Sequence, residues 1–152
     1  MAAPLFTHRG GYSFGLSPGE LWDRIEDVDQ FEGWWPWLSE FRLVGDGLVD
    51  GATLHGVVTP PLPYRMRLTV ELGRCRRPYA IDAVIGGDLT GDAHLRIRSD
   101  GEGSRVGMAW TIEVRQPVMR MASRIGRPVL QWGHDRVVET AVAGFRRRVE
   151  GA

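Results

Sequence analysis

Residues 17–38 read SPGELWDRIEDVDQFEGWWPWL, and this stretch carries the most specific local signals in the chain. Ser17 can cap a helix, Pro18 suits the first helical position, and Glu20 completes an S-x-x-E capping box. Apolar residues then recur at helical spacing, namely Leu21, Trp22, Ile25 and Val28. The stretch predicts a short helix over about residues 18–28, followed by a second short helix or turn that is broken at Pro36.

Apolar residues alternate with polar ones on both sides of this helical stretch. Phe6 to Leu16 places one apolar side chain at nearly every second position, which predicts a strand before the helices. After the helices the period of two persists almost to residue 114. It predicts six further strands, near 40–44, 52–59, 64–72, 79–85, 93–97 and 106–114. Regular alternation is typical of antiparallel strands with one buried face and one face in water.

From Pro117 to about Val149 the apolar period becomes helical. The stripe consists of Leu130, His134, Val137, Val138, Ala141, Phe145 and Val149. Pro128 is expected to divide this segment into a short leading helix and a long final one. A long amphipathic helix needs an apolar surface to cover, and a seven-stranded sheet supplies it. A gap between such a sheet and its helix is where a ligand would bind.

Composition excludes several functional classes. The 152 residues suit a single domain over 1–152, and the formal net charge of zero disfavours nucleic-acid binding. The single cysteine, Cys75, excludes an internal disulfide and a thiolate metal cluster. Lysine is absent, so neither Schiff-base chemistry nor a Walker-type loop is available. The N-terminus has no signal-peptide pattern and no apolar run is long enough to span a membrane, so the cytoplasm is the expected location.

Three stretches together resemble a known superfamily: residues 17–38, GDLTGDAHLRI leading to SRVGMAWTIEV, and RPVLQWGHDRVVETAVAGFRRRV near the end. Over residues 6–150 the chain resembles the START and birch-pollen-allergen superfamily, also called SRPBCC, and within it the polyketide cyclase/dehydrase-like group. The resemblance implies an α+β helix-grip fold. In it, a seven-stranded curved antiparallel sheet wraps around a long C-terminal helix, with two short helices between strands 1 and 2. Members include lipid carriers, hormone receptors and polyketide aromatases, so the fold alone does not choose a function.

The resemblance also implies an apolar cavity between the sheet and the C-terminal helix. The ligand-binding residues predicted from it and from the inward phases of the strands are Tyr12, Phe14, Trp35, Tyr64, Met66, Leu68, Ile81, Ala83, Leu95, Met108, Trp110, Ile112 and His134. Trp35 is the predicted cavity-facing member of the cluster Trp34, Trp35 and Trp37. The alternative for the strand residues is a solid core, and for His134 a structural histidine.

Catalytic residues are not assigned by the sequence. His134 and Asp135 are adjacent in a helix, so their side chains point about 100° apart and are not expected to form a hydrogen-bonded pair. No G-x-S-x-G nucleophile motif occurs. The inward titratable candidates are His8, Tyr12, Tyr64 and His134. Their scarcity favours binding over catalysis, whereas a pocket in which two of them meet would favour catalysis.

The positions of the histidines and arginines decide what the sequence predicts about metals, cofactors and membrane contact. His8, His55 and His94 lie on separate strands, and His94 is in the polar phase, so no metal site and no cofactor are predicted. Arg120, Arg124 and Arg127 give the segment after Pro117 a basic, amphipathic character, which would allow transient membrane contact or form an ordinary surface.

Three functions remain open at this point. The leading hypothesis is a carrier or sensor that binds a small hydrophobic or amphipathic molecule: a lipid, a fatty acyl compound or a polyketide-like compound. The alternative is a polyketide cyclase or dehydratase, and a third is a protein-interaction module with a filled cavity. The chain would act as a monomer or a homodimer.

Overall fold

The structure is a computed structural model and describes residues 5–61, 65–114 and 127–150. Its strands are β1 (Leu5–Phe14), β2 (Leu38–Val44), β3 (Thr53–Val58), β4 (Met66–Arg76), β5 (Ala80–Gly87), β6 (Leu89–Asp100) and β7 (Gly103–Val114). Its α-helices are α1 (Pro18–Ile25), α2 (Phe31–Trp34) and α3 (Arg127–Glu150), and a 3-10 turn spans Val28–Gln30. The predicted helix-grip fold is confirmed, with two short helices between the first two strands.

The seven strands form one antiparallel sheet in the order β1-β7-β6-β5-β4-β3-β2. The two strands that flank the short helices, β1 and β2, therefore lie at opposite edges of the sheet. Every other connection joins neighbours, as expected for a meander of hairpins. The register of β1 against β7 pairs Phe6 with Ile112 and His8 with Trp110, which brings these four side chains to the same part of the inner face.

The predicted capping box forms at the start of α1. The Ser17 hydroxyl oxygen accepts a hydrogen bond from the Glu20 backbone N–H at 3.3 Å, and the Glu20 carboxylate accepts one from the Ser17 N–H at 3.2 Å. Leu21 and Trp22 are wholly buried. The helix ends at Ile25, earlier than predicted, and the chain continues as the 3-10 turn.

The alternation of the strands is reproduced with one clear error. In β1, Phe6 and Phe14 are buried and Tyr12 is half-buried, while Thr7 and Ser13 face outward. Tyr79, which the alternation placed on the inner face, is 55% exposed. It lies in the turn before β5 begins at Ala80, so the strand phase does not apply to it.

The long helix α3 is described from Arg127 to Glu150, and Pro128 is part of it. The predicted stripe is the half-buried side of this helix, and Leu130 is its most buried member. The predicted leading helix after Pro117, with Arg120 and Arg124, lies outside the described residues, as does the side chain of Arg127. Among the described helices, none has the length and apolarity that crossing a bilayer requires.

Candidate functional site

A cavity of about 470 Å³ lies between the inner face of the sheet, the short-helix region and α3. Its described lining consists of apolar and aromatic side chains together with Tyr12 and His134, and it includes no aspartate, glutamate or arginine. The lining draws on both layers of the fold, because the inward residues of the strands face the stripe of α3. The volume falls within the range of about 300–1,000 Å³ that is typical of small-molecule sites.

Most of the residues predicted to bind ligand are found in this lining. The structure brings together Tyr12, Phe14, Trp35, Met66, Leu68, Leu95, Met108, Trp110, Ile112 and His134. Ile81 and Ala83 do not line the cavity. Ala83 is buried in the core cluster that also contains Leu21 and Trp22, and Ile81 packs against that cluster. Tyr64 lies outside the described residues.

Other lining residues were not predicted. From the strands, the short helices and the loops beside them these are Phe6, Ile25, Phe31, Trp34, Trp37, Val58, Pro60, Val70, Ile85, Leu89, Val106 and Val114. From α3 they are Leu130, Gly133, Val137, Val138, Ala141, Val142 and Phe145. The helix stripe in the sequence was the available signal for all of the second group except Gly133 and Val142, because a stripe that faces a sheet also faces any gap between them.

The tryptophan cluster forms one wall of the cavity and fastens the short helices to α3. Trp34, Trp35 and Trp37 all line the cavity, so the prediction of Trp35 alone was too narrow. The Trp35 indole N–H donates to the Ala141 carbonyl at 2.9 Å, and that of Trp37 donates to the Thr140 hydroxyl at 2.9 Å. The two rings stack with centroids 5.5 Å apart. These bonds satisfy both indoles with protein acceptors.

His134 is held by partners at both ring nitrogens. The Trp110 indole N–H donates to His134 Nε2 at 3.0 Å, so this nitrogen carries a lone pair and the ring proton of the neutral imidazole lies on Nδ1. His134 Nδ1 lies 3.1 Å from a carboxylate oxygen of Asp135, which also accepts from the Gln131 side chain. The expectation that these neighbours would not pair was wrong, because the exposed carboxylate of Asp135 lies within hydrogen-bond distance of the ring.

The pairing of Asp135 has an electrostatic consequence. Its hydrogen bond with His134 is the main cause that lowers the pKa of the Asp135 carboxyl, with a smaller contribution from Gln131. The carboxylate therefore stays ionised beside the imidazole at neutral pH. His134 is consequently oriented on both sides, with neither nitrogen free to serve as a base toward the cavity.

A second polar pair lies on β1. His8 Nε2 and the Tyr12 hydroxyl oxygen are 3.1 Å apart, and the His8 ring stacks on Trp110 with centroids 4.4 Å apart. Burial is the main cause that lowers the pKa of His8, and the nearby His134 lowers it further, against the opposing influence of Asp135. Burial also raises the pKa of Tyr12. Both side chains are therefore uncharged at neutral pH.

Several solved structures are similar to the chain over nearly its full length. A START superfamily protein from Mycobacterium smegmatis has a TM-score of 0.73 at 14% identity, covering 95% of this chain and 97% of that one. The Zhui aromatase/cyclase from Streptomyces sp. R1128 has a TM-score of 0.74 at 11% identity, with 97% and 94% covered. Ara h 8.0201 has a TM-score of 0.72 at 11% identity, with 98% and 100% covered.

The fold is the helix-grip fold of the START, Bet v 1-like and polyketide cyclase proteins. In sequence, no protein-family model and no curated protein matches the chain. At identities this low, structural similarity establishes the fold, and function has to be argued from the site.

The outer face of the helix-grip sheet carries a separate charged cluster. His94 Nδ1 lies 2.7 Å from Asp82 and His94 Nε2 lies 2.8 Å from Asp92, while Arg96 also pairs with Asp82 at 2.7 Å. His94 is thus exposed, as its phase predicted. Within residues 5–61, 65–114 and 127–150, no group of three or more His, Cys, Asp or Glu side chains is arranged to hold a metal ion.

Replacing His94 by glutamine is expected to remove a pH-dependent part of the stability. The hydrogen bond to Asp82, and then that to Asp92, raises the pKa of His94 above its ordinary value of 6.5. The imidazolium therefore stabilises the folded state below that value, and this contribution is lost as pH rises through the raised pKa. Because the cluster is exposed, the effect should be less than about 1 kcal/mol.

Urea unfolding of both proteins at about pH 6 and about pH 9 measures this contribution. The free energy of unfolding of the wild type should exceed that of the variant by more at the lower pH. An identical difference at both pH values would contradict the assigned role of His94.

Proposed function

We propose that the protein binds a small hydrophobic or amphipathic molecule in the cavity between the sheet and α3, as a carrier or sensor. The observation that carries this proposal is the cavity of about 470 Å³ lined by apolar side chains from both layers. A lipid, a fatty acyl compound or a polyketide-like compound has the apolar surface to fill it. Binding would be driven by removal of that surface from water, at about 25 cal/mol per Å² before the costs of ordering.

The composition of the wall fits an adaptable binding site. Met66 and Met108 both line the cavity, and methionine side chains adjust to ligands of different shape. The aromatic wall of Trp34, Trp35 and Trp37 supplies large rigid surfaces that lose little conformational entropy on binding. The hydrogen bonds from Trp35 and Trp37 to α3 keep this wall in place before a ligand arrives.

A polyketide cyclase or dehydratase is the second candidate function. It is favoured by the meeting of His8 and Tyr12 beside the cavity, since two of the titratable candidates come together there. The structural neighbour from Streptomyces is itself named an aromatase/cyclase. General acid–base catalysis requires a group within hydrogen-bond reach of the substrate. Tyr12 lines the cavity but His8 does not, and both nitrogens of His134 are occupied, so binding remains the better-supported function.

The protein-interaction hypothesis fits the geometry less well. It requires a filled cavity, whereas a volume of about 470 Å³ lies between the sheet and α3. An exposed aromatic residue does occur on α3, because Trp132 is 53% exposed. This residue lies on the side of the helix away from the cavity and takes no part in the proposed site.

Native mass spectrometry of freshly purified protein, followed by organic extraction, tests the proposed function. The expected result is a species heavier than the 17.0 kDa chain, from which the solvent releases an apolar compound. Recovery of the compound unchanged after incubation with the protein supports a carrier or sensor, and its conversion to a cyclised or dehydrated product supports the enzyme. A chain at its bare mass that also fails to take up added apolar compounds would contradict both.

A further inference from the structure

We propose that the Tyr12 hydroxyl, positioned by His8, is the hydrogen-bonding group that orients the ligand, and that the ligand presents an uncharged oxygen to it. The preferred ligand group is a hydroxyl or ketone carbonyl on an apolar skeleton rather than a carboxylate or phosphate. The proposal rests on the proposed function, since it specifies the polar end of the molecule that the cavity holds.

The Tyr12 hydroxyl is identified by elimination among the side-chain polar atoms of the described lining. The indole N–H groups of Trp35, Trp37 and Trp110 donate to Ala141, Thr140 and His134. His134 has a partner at each ring nitrogen. The Trp34 indole nitrogen has no protein partner, but it is fully occluded and a molecule in the cavity does not reach it. Tyr12 remains, with a hydroxyl that makes one bond to His8 and has capacity for another.

A glycine makes the His8–Tyr12 bond geometrically feasible. Side chains at positions 8, 10 and 12 of β1 point to the same face, so the side chain of residue 10 would stand between the other two. Residue 10 is glycine, and a Cβ placed there would lie 2.7 Å from the Tyr12 hydroxyl and 2.8 Å from His8 Nε2. The missing side chain therefore leaves the space in which the two polar groups meet.

The charge of the surroundings selects an uncharged ligand group. Among the described lining residues there is no arginine, and His8 and Tyr12 are neutral at neutral pH. The carboxylate whose charge acts on His8 is that of Asp135, which is negative. Arg146, which is not among these lining residues, lies over the ring of Phe14 and donates to the Ser13 carbonyl. An anionic ligand would have to leave water without gaining a cation, which is costly, whereas a hydroxyl needs only one good hydrogen bond.

Three naphthalenes of similar size test the proposal by equilibrium dialysis at about pH 7: 1-naphthol, 1-methylnaphthalene and 1-naphthoate. Tyr12→Phe is expected to weaken binding of 1-naphthol by about 3- to 10-fold, the value of one hydrogen bond, and to leave 1-methylnaphthalene unchanged. Gly10→Ala should do the same, because its methyl group displaces the Tyr12 hydroxyl. The matched control is Gly11→Ala, whose Cβ would meet the side chain of Arg105 on the outer face. The wild type should bind 1-naphthoate at least about 10-fold more weakly than 1-naphthol.

The outcomes separate this proposal from the proposed function. If Tyr12→Phe binds 1-naphthol as tightly as the wild type does, or if the wild type binds 1-naphthoate as tightly as 1-naphthol, the proposed role of the Tyr12 hydroxyl is overturned. Binding of 1-methylnaphthalene would in that case still support the proposed binding function of the cavity. A loss in Tyr12→Phe without a loss in Gly10→Ala would overturn the positioning of Tyr12 by His8. If none of the three compounds binds the wild type, the proposed function fails and the subsite fails with it.

Discussion

Replacing Trp22 by alanine is expected to lower the free energy of unfolding by about 3–5 kcal/mol, the usual cost of removing a buried aromatic side chain. Trp22 is 0% exposed and lies in the core cluster between the short helices and the sheet. Its indole nitrogen has no hydrogen-bond partner, so the loss comes from packing and apolar burial rather than from a broken hydrogen bond. A domain of this size has only about 5–15 kcal/mol in total, so the variant should unfold at much lower urea concentration.

The same substitution at Trp132 is the matched control. Trp132 is 53% exposed on α3, so its removal should change the free energy of unfolding by less than about 1 kcal/mol. Urea unfolding followed by circular dichroism compares the two variants without relying on the lost tryptophan fluorescence. Equal destabilisation by both substitutions would show that the assignment of Trp22 to the core is wrong.

The fold could be predicted from the sequence because the local patterns of the sequence agree with one another. Ser17, Pro18 and Glu20 define the start of α1 through groups that contact only their neighbours in the chain, and the capping box forms as predicted. The alternation of the strands reports burial on one face of a sheet, which holds along most of β1 and β7. Tyr79 shows where this reasoning ends, since a turn interrupts the phase before β5.

The residues of the site could be predicted only in part from the sequence. Alternation separates the inner face from the outer face, but it does not say which part of the inner face meets a cavity and which meets another side chain. Ile81 and Ala83 have the same inward phase as Leu95 and Met108 on other strands, yet Leu95 and Met108 line the cavity and Ile81 and Ala83 do not. This distinction depends on how the helices pack over the sheet, which is a tertiary property.

The polar contacts of the site depend on distances between separate elements. The pairing of Trp110 with His134 joins β7 to α3, and no spacing within either element encodes it. The bond between His8 and Tyr12 is local to β1, and its sequence signal is the glycine at position 10. The glycine indicates this bond only when positions 8, 10 and 12 are considered together, because all three point to the inner face.

Replacing Ala141 by phenylalanine is expected to weaken ligand binding by about 10- to 100-fold. Ala141 lies on the half-buried side of α3 and its side chain lines the cavity, so a phenyl ring there occupies space that a ligand needs. Overlap of this kind costs about 1–3 kcal/mol, which corresponds to the stated loss of affinity. The fold should tolerate the ring, since it enters an existing volume and the Ala141 carbonyl can still accept from Trp35.

The most direct measurement of the central claim is a titration with N-phenyl-1-naphthylamine, an uncharged probe whose emission rises in apolar surroundings. We expect saturable binding to the wild type with a dissociation constant on the order of micromolar, and the stated loss of affinity in Ala141→Phe. Ala143→Phe, with the same change at an exposed position of the same helix, should bind like the wild type. Absence of binding to the wild type, or equal affinity in all three proteins, would contradict the claim that the volume between the sheet and α3 is a ligand-binding site.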